Sequence, residues 1–293
     1  MRTRGIDHLV ICVDRLAAAR AHLEALGFAV QADARHPFGT GNACVMFADG
    51  TYLEPLAVLS RDEVREAVVK GNDFCRRQDA FRFRQGRGGA MLAVKSANAD
   101  EARQSFAAAG LDGGPILDFR RPQTLADGTE RQIGVRLAFA RDDRSADFTV
   151  FACEHLAADI LFSEERTRHP NGATGLSRVI LGETNPTDFQ YLLQTGLSDR
   201  DPRASSLGLS FDLDEGPDLD ILGAAGEAAF LGTAGHSERG PRLLAAVVTV
   251  PDLEAIKARA EAAGLSHAMR AGRLVVDASA DFSFILAFEE AHK

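Results

Sequence analysis

The chain predicts an α+β fold: four βαβββ-type modules paired into two domains with curved mixed sheets. Three observations lead there. A short apolar strand followed by a helix that ends in glycine recurs four times. Each recurrence is followed by further segments of strand character. A unit of this size cannot bury both faces of a sheet alone, so the modules must pair around a shared concavity.

The first module opens with the strand IDHLVICV, Ile6 to Val13. In DRLAAARAHLEALG, Asp14 stands where an N-cap belongs, Leu16, Leu23 and Leu26 keep a helical spacing, and Gly27 supplies a left-handed cap. After HPFGTGN come the strand-like ACVMFA and TYLEPLAVL, joined at Asp49-Gly50. The strand-helix-glycine pattern then returns with ends at Gly110, Gly196 and Gly264. The four glycines stand 83, 86 and 68 residues apart, too wide for a solenoid and right for a repeated module.

Further strands follow each helix. After Gly110 these are FRRPQTL and ERQIGVRLAFA around Asp127-Gly128, then DFTVFACEHL. After Gly196 they are SSLGLSFDLD and EAAFLGT, and after Gly264, HAMRAGRLVVDA and FSFILAFEE. A connector from about Ser60 to Gly89 is predicted to be helical in part. The polar stretch SEERTRHPNG, residues 163–172, reads as the linker between a domain of residues 1–165 and one of residues 166–293.

With 293 residues, 45% of them hydrophobic and 26% charged, the chain is an ordinary globular sequence with room for two cores. A net charge of −9 argues against a nucleic-acid partner, whose phosphates call for clustered Lys and Arg. Cys12, Cys44, Cys75 and Cys153 form no CxxC pair and read as free thiols. No apolar run approaches the ~18 residues a membrane span needs. The N-terminal stretch has no cleavage pattern, and a cytoplasmic protein is expected. Oligomeric state stays open.

Two residues break the apolar logic: His8 inside the first strand and Glu54 inside the last strand of the first module. A core strand excludes an ionisable side chain unless something pairs with it. The pair therefore marks either a site or a neutral histidine hydrogen-bonded to a buried carboxylate. In HPFGTGN, Pro37 stiffens the chain and Gly39 and Gly41 allow close approach, so His36, Thr40 and Asn42 present polar groups to a substrate oxygen or form an ordinary turn. Arginines cluster in the connector, from Arg76 to Arg87, and again at Arg120, Arg121, Arg131 and Arg136. Their planar fork suits a carboxylate or phosphate, and Arg121 is the candidate substrate contact.

The repeated module with His in its first strand and Glu in its last resembles the vicinal oxygen chelate superfamily. IDHLVICV, HPFGTGNACVMFADGTYLEPLAV, RRP with DGTERQIGVRLAF, and HPNGA more narrowly resemble glyoxalase-like domain proteins over residues 5–182. The resemblance implies a divalent metal, Zn, Ni, Mn or Fe, in the cup between paired modules. Carried over by position, it implies His8, Glu54 and Glu154 as ligands, with Ala90 leaving a gap at the fourth position. Ser177 and Ala245 stand at the corresponding first-strand positions of the second domain. His155 is read as a surface residue at the strand's end.

Two functions are compatible with this. One is a metal-dependent lyase or isomerase acting on a small carbonyl or hydroxy compound, with Glu54 and His36 moving the proton. The other is a metal-free binding protein of the bleomycin-resistance kind. Extradiol ring cleavage ranks lower, since it needs two histidines and one carboxylate, and only His8 is in view.

Overall fold

β1 (Ile6–Cys12) is buried along its whole length because it has a partner on both edges. It runs parallel to β5 (Tyr52–Val58) and antiparallel to β6 (Gly88–Lys95). The parallel pair needs a crossover, which α1 (Leu16–Ala25) supplies, and β2 (Ala34–Arg35), β3 (Thr40–Asn42) and β4 (Val45–Met46) complete the first module. In the computed structural model, residues 3–124, 128–199 and 201–291 are described.

A connector of α2 (Arg61–Val69) and α3 (Asp73–Gln85) leads to β6, with Ser60 and Asn72 as N-caps accepting from Glu63 N and Cys75 N. The second module then repeats the first. After α4 (Ala99–Ala108) come β7 (Leu117–Thr124), β8 (Glu130–Ala140) and β9 (Thr149–His155), with β9 parallel to β6. Short helices α5 (Ala158–Leu161) and α6 (Glu164–Thr167) follow. The third module holds β10 (Gly175–Gly182), α7 (Gln190–Leu197), β11 (Arg203–Ser205), β12 (Gly208–Phe211), β13 (Asp218–Leu222) and α8 (Ala224–Phe230). The fourth holds β14 (Arg242–Val250), α9 (Leu253–Ala262), β15 (His267–Arg270), β16 (Arg273–Val276) and β17 (Ile285–Glu290).

Modules one and two join through the antiparallel β1–β6 pair, and three and four through β10–β14. The mixed sheet is continuous from one half to the other through the pairing of Leu243 with Gly89. A Cβ at Gly89 would lie 2.3 Å from Leu243 O, so only glycine lets the two strands meet.

Several details depart from the sequence reading. α1 is preceded by Arg15 with no side-chain cap, and Asp14 instead pairs with Arg87 at 3.0 Å. Gly27, Gly110 and Gly264 take the expected positive φ, whereas Gly196 lies inside α7 against Val150 and Ser198 adopts φ 55° in its place. EAAFLGT is largely helix, as its Ala and Glu content favours, and the strand lies just before it at Asp218–Leu222.

The two concavities differ. That of the C-terminal half holds apolar side chains including Ile180, Leu222, Val247 and Val275, and its charged residues are paired with one another, Arg178 with Asp218 and Asp220 and Arg273 with Glu289. In the N-terminal half, Val64, Phe74, Cys75 and Phe81 of the connector pack on Cys12 and Leu56 and fill one end only.

The stretch read as a polar linker keeps most of its residues exposed but docks through the buried Thr167, His169 and Asn171. His169 accepts from Ala29 N at 3.0 Å and donates to Met46 O at 2.9 Å. Asn171 donates to Leu26 O at 3.0 Å. Burial lowers the His169 pKa below the usual histidine value. Among the described residues no helix is long and apolar enough to cross a membrane.

Candidate functional site

The open end of the N-terminal cup collects the ionisable residues. His8 shares its face of β1 with Val10 and Cys12, as the period of two requires. Between Ile6 and His8 the register against β6 advances two residues on β1 for one on its partner. That bulge turns Asp7 toward the same side as His8, where alternation alone would have pointed it away.

Asp7 Oδ1 lies 2.5 Å from His8 Nδ1 and 3.0 Å from His155 Nε2 on β9. Cys153 Sγ is 3.7 Å from the same His155 nitrogen. One donor atom from each of Asp7, His8, Cys153 and His155 lies within 4.8 Å of the others. Burial pushes the Asp7 carboxyl up, but the two histidines outweigh it and hold the group well below the usual carboxylate range. For His155 burial works downward, and the Asp7 charge and hydrogen bond more than offset it, so its pKa is raised. Burial, reinforced by the Asp7 and Glu54 carboxylates, drives the Cys153 thiol well above its usual value.

Glu54 enters from β5, beside Val10 in the register. Its Oε1 accepts from Asn42 Nδ2 at 2.7 Å, and its Oε2 is 3.5 Å from His8 Nε2. Thr40 and Asn42 are two apart on β3 and so share a face. Asn42 Nδ2 can only donate, so His36 Nε2, 3.2 Å away, is the acceptor. His36 is then neutral, with its proton on Nδ1, donated to Thr40 Oγ1 at 2.9 Å. His8, Glu54, His36, Asn42, Cys153 and His155 face one cavity of about 110 Å³. Phe38, Phe74, Phe119, Phe151 and Leu137 make its apolar walls.

Of the residues singled out from the sequence, His8, Glu54, His36, Thr40 and Asn42 come together. Glu154 does not join them. It lies on the outer face of β9, where it accepts from Ala99 N at the start of α4 at 2.8 Å and from Arg136 at 3.1 Å. Its neighbours Cys153 and His155 take the inner face, because a one-residue offset reverses a strand side chain. His155 is thus a cup residue and not a surface one. Arg121 lies in β7, and its side chain is outside the described residues. The other arginines of the basic stretches are engaged: Arg87 with Asp14, Arg131 with Asp159, Arg136 with Asp100, and Arg82 with the Val13 and Leu56 carbonyls.

Asp7, Cys153, His155 and Arg166, which lines the cavity from α6, were not legible as site residues. The alternation of Cys153 and His155 was the one signal available. The donor set of one carboxylate, two imidazoles and one thiol fits a divalent transition metal. The buried Nδ1 of His155, on the side of the ring away from Asp7 and Cys153, has no hydrogen-bond partner among the described residues.

The chain shares its fold with a hypothetical protein from Staphylococcus aureus at 9% identity and TM-score 0.67, over 98% of this chain and 99% of that one. A mutant 4-hydroxymandelate synthase from Streptomyces coelicolor matches at 11% identity and TM-score 0.56, covering 99% and 93%. The Mn(II)-bound glyoxalase from Novosphingobium aromaticivorans matches at 12% identity and TM-score 0.53, covering 99% and 82%. At such identities the likeness concerns the fold alone. A search of curated proteins finds no match. Residues 6–197 match the family described as glyoxalase-like domain. The chain belongs to that family, and with it to the vicinal oxygen chelate superfamily.

Proposed function

We propose that this protein is a metal-dependent lyase or isomerase that moves a proton on a carbon next to the carbonyl or hydroxyl group of a small molecule in the N-terminal cup. One observation carries the reading: the carboxylate of Glu54, held by Asn42, faces the same cavity as His8, Cys153 and His155, three members of a four-residue metal-donor group. Asp7, His8 and His155 would hold the ion, with Cys153 as a fourth donor. When bound, a divalent metal supplies a Lewis acid that polarises a substrate oxygen.

The chain's own residues do the rest. Asn42 occupies Glu54 Oε1, which leaves Oε2 to take a proton from carbon and return it to the neighbouring atom. Neutral His36, fixed by Thr40, accepts from Asn42 and keeps its amide turned toward Glu54. The phenylalanine walls exclude water, so the carboxylate acts in a medium of low polarity.

A second reading has a specific observation in its favour. His155, read from the sequence as a surface residue, supplies a second histidine, and with His8 and Asp7 it makes a two-histidine, one-carboxylate set suited to ferrous iron and oxygen. The two readings separate on the bench. Elemental analysis of untagged protein prepared without chelator comes first, followed by incubation with zinc, nickel, manganese and ferrous iron. Solvent deuterium exchange into 2-oxoaldehydes and hydroxy acids with any of these metals supports the isomerase. Iron-dependent oxygen uptake supports the second reading. A protein that takes up none of the four metals is no metalloenzyme, and a metal-free small-ligand carrier then stands.

A further inference from the structure

Arg166 reaches the wall of the cup from α6, where Glu164 and Glu165 are exposed and Thr167 is buried. Its Nε donates to Gln31 Oε1 at 2.9 Å, and Gln31 Nε2 donates back to Arg166 O at 3.1 Å. Gln31 is itself tied down, its N–H donating to Cys44 O at 2.8 Å. This reciprocal clamp orients the planar guanidinium. Its two terminal nitrogens have no hydrogen-bond or ion-pair partner among the described residues. Its neighbour Arg168 pairs with Glu164, and Arg131 with Asp159. Among the described residues Arg166 is the sole Lys or Arg lining the cavity.

A guanidinium held at one nitrogen, with its fork left open toward a cavity, is a receptor for a planar anion. Glu54 in the lining and Asp7 behind His8 and His155 bring negative charge to the cup, so an anionic group is repelled from them and drawn to Arg166. A single cation beside two carboxylates suits a monoanion better than a phosphate dianion. The cavity is also lined by Phe74, Phe119, Phe151 and Leu137, which ask for an apolar body. We propose that the cup's ligand is a small monocarboxylate with an apolar, ring-sized body, its carboxylate held bidentately by Arg166 and oriented through Gln31. This rests on the reading of the cup as the functional site and names the substrate class within it.

The test is calorimetric binding of phenylglyoxylate and of its neutral near-isostere phenylglyoxylamide to the full chain, with and without added metal. The wild type should prefer the carboxylate by about 10- to 100-fold, the size of a charge-assisted bidentate contact. Arg166→Gln should abolish that preference while still binding the amide, Arg166→Lys should restore part of it, and Gln31→Ala should reduce it. Equal binding of the two probes by the wild type, an unchanged preference in Arg166→Gln, or no binding of either probe overturns the proposal. Metal content keeps the two readings apart. An Arg166-dependent preference in a protein that takes up no metal supports the carboxylate site and removes the metalloenzyme. Metal uptake without the preference does the reverse.

Discussion

The amide of Asn42 lies 2.7 Å from Glu54 Oε1 and 3.2 Å from His36 Nε2, so one side chain fixes both the carboxylate and the histidine. Asn42→Ala removes a hydrogen bond to a charged group. It should lower turnover by about 10-fold or more, with metal content unchanged. Asn42→Asp sets two carboxylates side by side, which disfavours ionising both, so the acidic limb of the profile, where the general base must be deprotonated, should move to higher pH. A pH–rate profile of kcat/KM on the best substrate checks both outcomes.

The donor group makes a prediction that separates β9's two faces. Asp7→Asn and His155→Ala should each lose stoichiometric metal, read by elemental analysis of the purified variants. Glu154→Gln should keep it. The cost of Glu154→Gln falls on stability instead, about 1 kcal/mol for weakening the contacts to Ala99 N and Arg136, visible in urea denaturation.

His169 sets a pH dependence. Its pKa is lowered in the folded protein from an ordinary value of 6.5, because burial disfavours the charged ring. Between the folded and unfolded values the unfolded chain binds more protons, so stability rises with pH there. His169's contribution is complete above about pH 6.5 and is lost as pH falls below it. Protonation also ends the ring's acceptance from Ala29 N. The melting temperature of the wild type should therefore fall more steeply from pH 7 to pH 5 than that of His169→Phe, which should be less stable at pH 8.

Gly39 offers a test of the turn that carries His36. It has φ +85°, and a Cβ there would meet Ser60 O and Glu63 Cβ at 2.7 Å. Gly39→Ala should cost about 2–4 kcal/mol, from a left-handed non-glycine residue and a clash with the start of α2. Equilibrium denaturation measures the loss. Because the donor group lies on β1 and β9, metal uptake by the folded fraction should persist.

The four modules were readable because their signals are local: apolar runs, helical spacing and a left-handed residue at the helix end. Where Gly196 failed as a marker, Ser198 served the same backbone need. His8 and Glu54 stood out as charges inside apolar strands, and His36, Thr40 and Asn42 as the polar residues of the glycine-containing HPFGTGN turn. Asp7 was hidden because a bulge is a property of pairing with β6 and leaves no mark in a single strand. Cys153 and His155 were hidden by phase: placing Glu154 opposite Glu54 put the right strand in the site with the wrong face inward. Arg166 looked like linker charge, since its tie to Gln31 spans 135 positions of the chain.

The donor group is drawn from both ends of the N-terminal half, Asp7 and His8 near its start and Cys153 and His155 near its close. A nascent chain that has released β1 and β5 from the ribosome already carries His8 and Glu54 but has only half of the four donors. The group of four is not assembled until β9 has emerged and paired with β6, and Arg166 follows the end of β9 by 11 residues. The order of synthesis thus leaves both the donor group and the proposed anion contact incomplete until the first half of the molecule has emerged.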